Sequence, residues 1–285
     1  MSEGPGGSRD GPLAPPAPGL RARIRSAAGA VIASPLGSQA LVILGALIGW
    51  EALARAQLFS PLLLPSLSAT LVTLVRDFGG VLARTGVTLL YVGYGMLAGL
   101  VLALAMTFAA LRWQACADLV ELSLTILHPL PAVALLPLLI LWLGLTPWAL
   151  VIIIVNSCLW PLLQNCYTGF RSISQTYLEV GRNIGLRGLR LFLAVTVRAA
   201  LPYFLSGIAI AWARAWRAAI TVEMVFGAST SSGGIGWYIY TSRFMLDMPA
   251  VLAGTLVIVA IGVIAERGLL DTIQARTVVR WGMVQ

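Results

Sequence analysis

Long apolar stretches alternate with short polar ones along most of this chain, and their length is the first clue to its architecture. A bilayer core of roughly 30 Å asks for about 20 mainly apolar residues per crossing helix. Six windows meet that demand, at about 38–56, 84–110, 119–143, 147–168, 199–222 and 249–268. The pattern predicts an all-α polytopic membrane protein with about six transmembrane helices.

Two stretches depart from it. The third window carries Pro129, Pro131 and Pro137; each removes a backbone donor, which predicts a kinked or broken span and a pathway along its inner face. Residues 57–83 are less apolar and interrupted by Pro61, Pro65 and Gly79-Gly80, so they are placed at the membrane surface, with Leu67 to Phe78 as an interfacial helix.

Between the fourth and fifth windows lies "SISQTYLEVGRNIGLRGLRLFLAVTVRAALPYFLSG", polar and rich in Arg. Its periodicity predicts two short helices. Ser174 to Asn183 has Tyr177, Leu178 and Ile184 on one side, and Arg187 to Val197 has Leu189, Phe192, Leu193 and Thr196. Gly185 separates them, where a turn needs positive φ or close approach. An element apolar on one face and basic on the other suits docking in a protein groove or lying on lipid headgroups.

Composition agrees and adds exclusions. The 285 residues are 59% hydrophobic and 11% charged, with mean hydropathy +0.89, far from a soluble globular profile. All 19 basic residues are Arg. Without Lys the chain can host neither a Walker A phosphate loop nor a Schiff-base site, so any ATP that drives it is hydrolysed elsewhere. Cys116, Cys158 and Cys166 are widely spaced and there is one His, which argues against a metal or disulfide framework. Nothing in the pattern suggests nucleic-acid binding.

The arginines also orient the chain. Thirteen fall in one set of connecting segments and four, Arg55, Arg76, Arg84 and Arg243, in the other. The positive-inside rule then puts both termini in the cytoplasm. The layout is a disordered cytoplasmic tail over 1–37, a membrane domain over 38–272 with a cytoplasmic loop at 169–198, and a cytoplasmic tail over 273–285. No cleaved secretory signal is expected.

Polar groups inside spans are the candidate pathway. Arg214 and Arg217 lie three apart on one helical face with Glu223 six residues on; an intramembrane charge costs about 2.5–3.5 kcal/mol on insertion scales and usually faces a cavity or a partner. They form either a positive wall that draws in anionic solute or a structural set in which an Arg pairs with Glu223 or with interhelical carbonyls. His128, before Pro129, bonds solute or satisfies freed carbonyls. Asn156, Gln164 and Asn165 line the pathway or join helices. Trp142, Trp148 and Trp160 read as interfacial belts and packing. Gly45 with Gly49, and Gly95 with Gly99, permit close helix approach. The stretch 227–247 reads as an outer hairpin or re-entrant element.

Glu179-Val-Gly-Arg-Asn-Ile-Gly185, followed by Phe192 and Leu201-Pro202, resembles the EAA loop of ATP-binding-cassette importer permeases. Val180 and Gly181 stand at its two Ala positions, and Arg198 where a Pro is frequent. "PLPAVALLPLLILWLGL", "GIAIAWARAWRAAITVEMVFGASTSSGGIGWYIY" and the closing Arg280-Trp281 are similar to the nitrate/sulfonate/taurine/bicarbonate subgroup, over roughly residues 38–282. The resemblance implies a type I importer permease of the bacterial inner membrane, not itself an enzyme. It further implies a second copy of the permease, a cytoplasmic ATPase dimer that binds ATP and Mg, and a periplasmic or lipid-anchored solute-binding protein. Tyr177, Leu178, Glu179, Gly181, Gly185 and Leu186 would then couple to the ATPase.

Two other classes compete. An ion-coupled secondary transporter wants acids deep in its spans, whereas Glu51, Asp118, Glu121 and Glu266 fall near span ends. A membrane enzyme would need a catalytic constellation, and neither HExxH nor GxSxG occurs.

Overall fold

The computed structural model describes residues 35–226 and 233–270. Residues 1–34 of the expected tail over 1–37, the whole expected tail over 273–285, and the start of the outer hairpin at 227–232 lie outside the described residues; 35–37 already belong to a helix. The chain divides into two units, 1–59 and 60–285. The described part of the first is one helix, α1 (Pro35–Arg55), whose last turn carries an Arg55–Glu51 pair at 2.7 Å.

The second unit is helical throughout its described residues. Ser66 caps α2 (Leu67–Arg76), its hydroxyl accepting from Ala69 N–H at 3.2 Å. Asp77 leaves helical geometry at φ −105°, ψ 22°, and α3 (Phe78–Arg112) follows at once. The 35 residues of α3 span about 52 Å at 1.5 Å per residue. The helix that carries the second window thus begins at Phe78, ahead of the window's start near residue 84: Gly79 and Gly80 fall in the first turn, where a helix bears Gly cheaply, and the short helix before it stops at Arg76.

The third window is α4 (Gln114–Leu127), a 3₁₀ turn (Ala132–Leu135) and α5 (Leu136–Leu143), bent by 91° at the break. Pro129 and Pro131 cause it; Pro137 lies in the first turn of α5, where no N–H is missed, and so does not contribute. Pro147 opens α6 (Pro147–Arg171), the most buried helix, held between α3 and α8. Gly95 and Gly99 make the α3–α6 approach possible, since a Cβ on either would run into Ile154 or Cys158.

Helix α7 (Gln175–Asn183) leads by a turn into α8, which runs from Gly188 to Phe226 with a π turn over Phe192–Thr196. The second short helix expected over 187–197 is therefore the first part of the long helix that carries the fifth window. No Gly or Pro lies between Leu189 and Leu201 to end it. Ten-residue α9 (Ile235–Phe244) packs on α8, α3 and α10 (Met248–Val263), and α10 ends in a π turn, Ile264–Leu270.

By length and composition five of the described helices can cross a membrane, six if the broken pair counts as one span. Leu90, Leu97 and Val101 of α3, like much of the apolar surface, are exposed, as lipid-facing side chains are. The core lies instead along α6, where Leu150, Ile153, Ile154, Leu162 and Leu163 are fully buried.

Candidate functional site

The break in the third window opens a cavity. Leu130, between two prolines, is pushed out of helical geometry by the ring of Pro131, and the turn 128–133 forms one side of a space of about 480 Å³. Across from it α6 contributes Ser157, and α8 contributes Arg214, Arg217, Ala218 and Thr221. Three expected pathway residues, His128, Arg214 and Arg217, thus share one lining.

Their bonding is incomplete. Arg217 Nε donates to the Ala213 carbonyl of its own helix at 2.9 Å. Among the described residues neither guanidinium is paired with a carboxylate. His128 Nε2 is buried and has no hydrogen-bond partner. The cavity is cationic, polar on α8 and apolar along the proline turn.

Glu223 is elsewhere. It is 5% exposed, accepts from Thr88 Oγ at 2.8 Å and from Gly236 N–H at 2.9 Å, and is absent from the cavity lining. Thr88 in turn accepts from Ile235 N–H at 2.9 Å. Glu223 and Thr88 thereby satisfy two of the free amides that open α9 and fasten α3, α8 and α9 together. Pairing of an arginine with Glu223, one of the sequence alternatives, does not occur, because the carboxylate faces the start of α9. Gly234 and Gly236 are required: a Cβ on either would collide with Glu223. Thr88 is the residue that sequence reasoning missed. Its signal is a stripe of buried residues at spacings of three and four, Val81, Thr85, Thr88, Val92, Gly95, Gly99, Ala103, Thr107 and Ala110.

Asn156 accepts from Trp160 Nε1 at 3.1 Å, its Nδ2 has no partner, and it does not line the cavity. Asn165 Nδ2 bonds the Pro161 carbonyl of its own helix at 2.8 Å, while Gln164 is exposed. Trp142 and Trp148 are largely exposed and Trp160 is buried, so the three divide between surface and core.

The helix–Gly–helix element forms a second candidate surface. Ser174 caps α7. Its other end is a Schellman closure: Leu186 N–H bonds the Gly181 carbonyl and Gly185 N–H bonds that of Arg182, both at 3.0 Å, with Gly185 at φ +88°. Gly181 is buried against Leu191 and Val195, which a side chain there would displace. Tyr177 and Ile184 are exposed, as are Val180 and Leu189, whereas Leu178 and Leu186 turn partly inward. Glu179 is exposed. At the root of the element Phe108, Phe170 and Phe192 cluster with centroids 5.8–5.9 Å apart, joining the ends of α3 and α6 to the start of α8.

Apolar helices around a cavity lined by two arginines, beside a short helix that has an exposed apolar face and leads by a turn into a long apolar helix, are the parts of a membrane transport subunit. The chain belongs to the family of binding-protein-dependent transport system inner membrane components, whose model matches residues 95–276. An ABC transporter permease protein of Haemophilus influenzae is 31% identical over 226 residues, 78% of this chain and 89% of that one. The taurine transport system permease protein of Escherichia coli is 24% identical over 246 residues, covering 82% and 88%. The nitrate import permease protein of Leptolyngbya laminosa is 30% identical over 190 residues, covering 63% and 65%. The chain falls in the nitrate/sulfonate/taurine/bicarbonate subgroup of these permeases and is a multi-pass protein of the inner membrane.

Proposed function

We propose that this chain is the translocating subunit of an ATP-driven importer for a small anionic solute of the sulfonate, taurine, nitrate or bicarbonate kind. The observation that carries the reading is the continuity of α8, which begins beside the glycine-closed α7 and carries Arg214 and Arg217 on the cavity. From Gly188 to Arg214 the helix is about 39 Å long at 1.5 Å per residue. A displacement at one end is delivered to the other.

In this reading both termini and α7 are cytoplasmic, and residues 169–198 act as the EAA coupling loop. Tyr177, Val180, Ile184 and Leu189 enter a cleft of an ATPase subunit, Glu179 meets a cationic or N–H patch there, and Gly181 and Gly185 hold the element's shape. ATP and Mg²⁺ belong to the ATPase dimer; this chain holds no cofactor. A second copy of the permease completes the pathway, and a solute-binding protein delivers solute from the opposite side. Closure of the ATPase pair moves α7, and α8 switches access to the cavity.

Co-purification from the native membrane tests the reading. A P-loop ATPase is expected in equal amount with the parent chain, in lower amount with Glu179→Arg, and uncoupled from uptake with Gly185→Val. Recovery of the parent chain without an ATPase would refute the reading, and normal transport by Gly185→Val would refute the rigid loop.

A further inference from the structure

We propose that the cavity at the broken span is itself a binding site for an organic oxyanion that carries a short apolar tail, so that the permease adds its own selection to solute entry. The inference rests on the importer reading for its physiological meaning and on the cavity alone for its chemistry.

Three observations support it. First, cations are gathered without counter-charge: Arg214 and Arg217 both line the space, and among the described residues no carboxylate pairs with either. A guanidinium presents a planar fork of N–H donors that matches the oxygens of a carboxylate or sulfonate. Arg217 uses Nε on the Ala213 carbonyl at 2.9 Å, which fixes the side chain along the helix and leaves its terminal nitrogens for a ligand. Secondly, His128 Nε2 is buried and without a partner beside those cations. A buried polar atom left unmatched costs about 1–3 kcal/mol, and an anion oxygen accepting from it would remove that cost.

Thirdly, the space is larger than a bare inorganic ion fills, and half of its lining is apolar. About 480 Å³ falls among the roughly 300–1,000 Å³ of small-molecule sites. The turn 129–133 lines it with two prolines, Leu130, Ala132 and Val133. A ligand with its charged group on α8 and its tail on that turn uses both surfaces. A bare ion would leave the apolar part empty.

The test is binding to the full-length chain in lipid nanodiscs, followed by saturation-transfer NMR of four probes at equal ionic strength: 1-butanesulfonate, methanesulfonate, nitrate and 1-butanol. Saturable binding of 1-butanesulfonate is expected, at least tenfold tighter than of methanesulfonate or nitrate, with none of 1-butanol. Arg217 is exposed, so Arg217→Gln is expected to fold normally and to weaken 1-butanesulfonate binding at least tenfold, with partial recovery in Arg217→Lys. Equal binding of the three anions would overturn the tail, and unchanged binding in Arg217→Gln, or no saturable binding at all, would overturn the site. The isolated chain is used so that the two readings fail separately. An intact ATPase complex with no binding removes the cavity proposal only, and binding without an ATPase partner removes the importer reading only.

Discussion

Helix α8 carries three charged side chains among its buried turns, and they meet opposite surroundings. Glu223 is enclosed and has a donor from each of two other helices, Thr88 on α3 and Gly236 on α9. Arg214 and Arg217, nine and six residues earlier, face open volume with no carboxylate among the described residues. The same cost of placing charge in a membrane is met in one case by built-in partners and in the other is left for something that enters. Hydrogen-bond partners, and not charge alone, separate the fastening from the site.

The sharpest way to break this contrast is Glu223→Leu. It breaks both bonds, at about 1–3 kcal/mol each, leaving the buried Gly236 amide without its acceptor and the Thr88 hydroxyl with only the long contact to the Arg84 carbonyl at 3.4 Å. A loss of roughly 3 kcal/mol or more is expected, seen as a collapse in the yield of monodisperse protein and a large fall in melting temperature. A Glu223→Leu protein as stable as the parent would show that the carboxylate fastens nothing.

Gly236→Ala attacks the same point from the other side. The new methyl group would meet the Ile220 carbonyl and Glu223, and forced overpacking of this kind costs about 1–3 kcal/mol. The melting temperature should fall by several degrees with Glu223 still present; an unchanged value would mean that α9 can retreat freely.

How far the sequence shows this contrast depends on range. The six windows were legible because bilayer thickness imposes one length, and the broken third window was legible because a proline cannot donate. Pro137 misled, since a proline in a first turn breaks nothing. The merger of residues 188–197 with the fifth span was hidden: arginines made them look polar, and polarity does not end a helix where no Gly or Pro intervenes. Gly185 announced its turn. Gly181 did not announce that it fits beneath Leu191 and Val195, because that is tertiary packing. Of the charged trio, Arg214 and Arg217 declared a shared face by spacing alone, but one of the two partners of Glu223, Thr88, lies 135 residues away, beyond any local pattern.

On the arginine side the expected effect is functional. Arg217→Gln should change stability by no more than about 0.5 kcal/mol, as substitutions at exposed positions do. Uptake of an anionic solute by the assembled transporter should fall about tenfold, equivalent to about 1.4 kcal/mol. Loss of stability with no loss of uptake would move Arg217 into the class of Glu223 and dissolve the distinction.

Thr88 offers the smallest and most discriminating test, because its hydroxyl ties two other helices, donating to Glu223 and accepting from Ile235 N–H. Thr88→Val keeps the shape and removes both bonds. The side chain is fully buried, so the deserted Ile235 amide and carboxylate oxygen have no water to turn to, and about 1–2 kcal/mol should be lost. Thr88→Ser keeps the hydroxyl and loses one buried methyl group, at about 1 kcal/mol or less. If the fastening depends on hydrogen bonding, Ser is the better substitute although it leaves a void, and α9 stays protected from amide exchange in Thr88→Ser but opens in Thr88→Val. If Val is the better substitute, packing holds α9, and the carboxylate of Glu223 joins the arginines as a charge awaiting a partner.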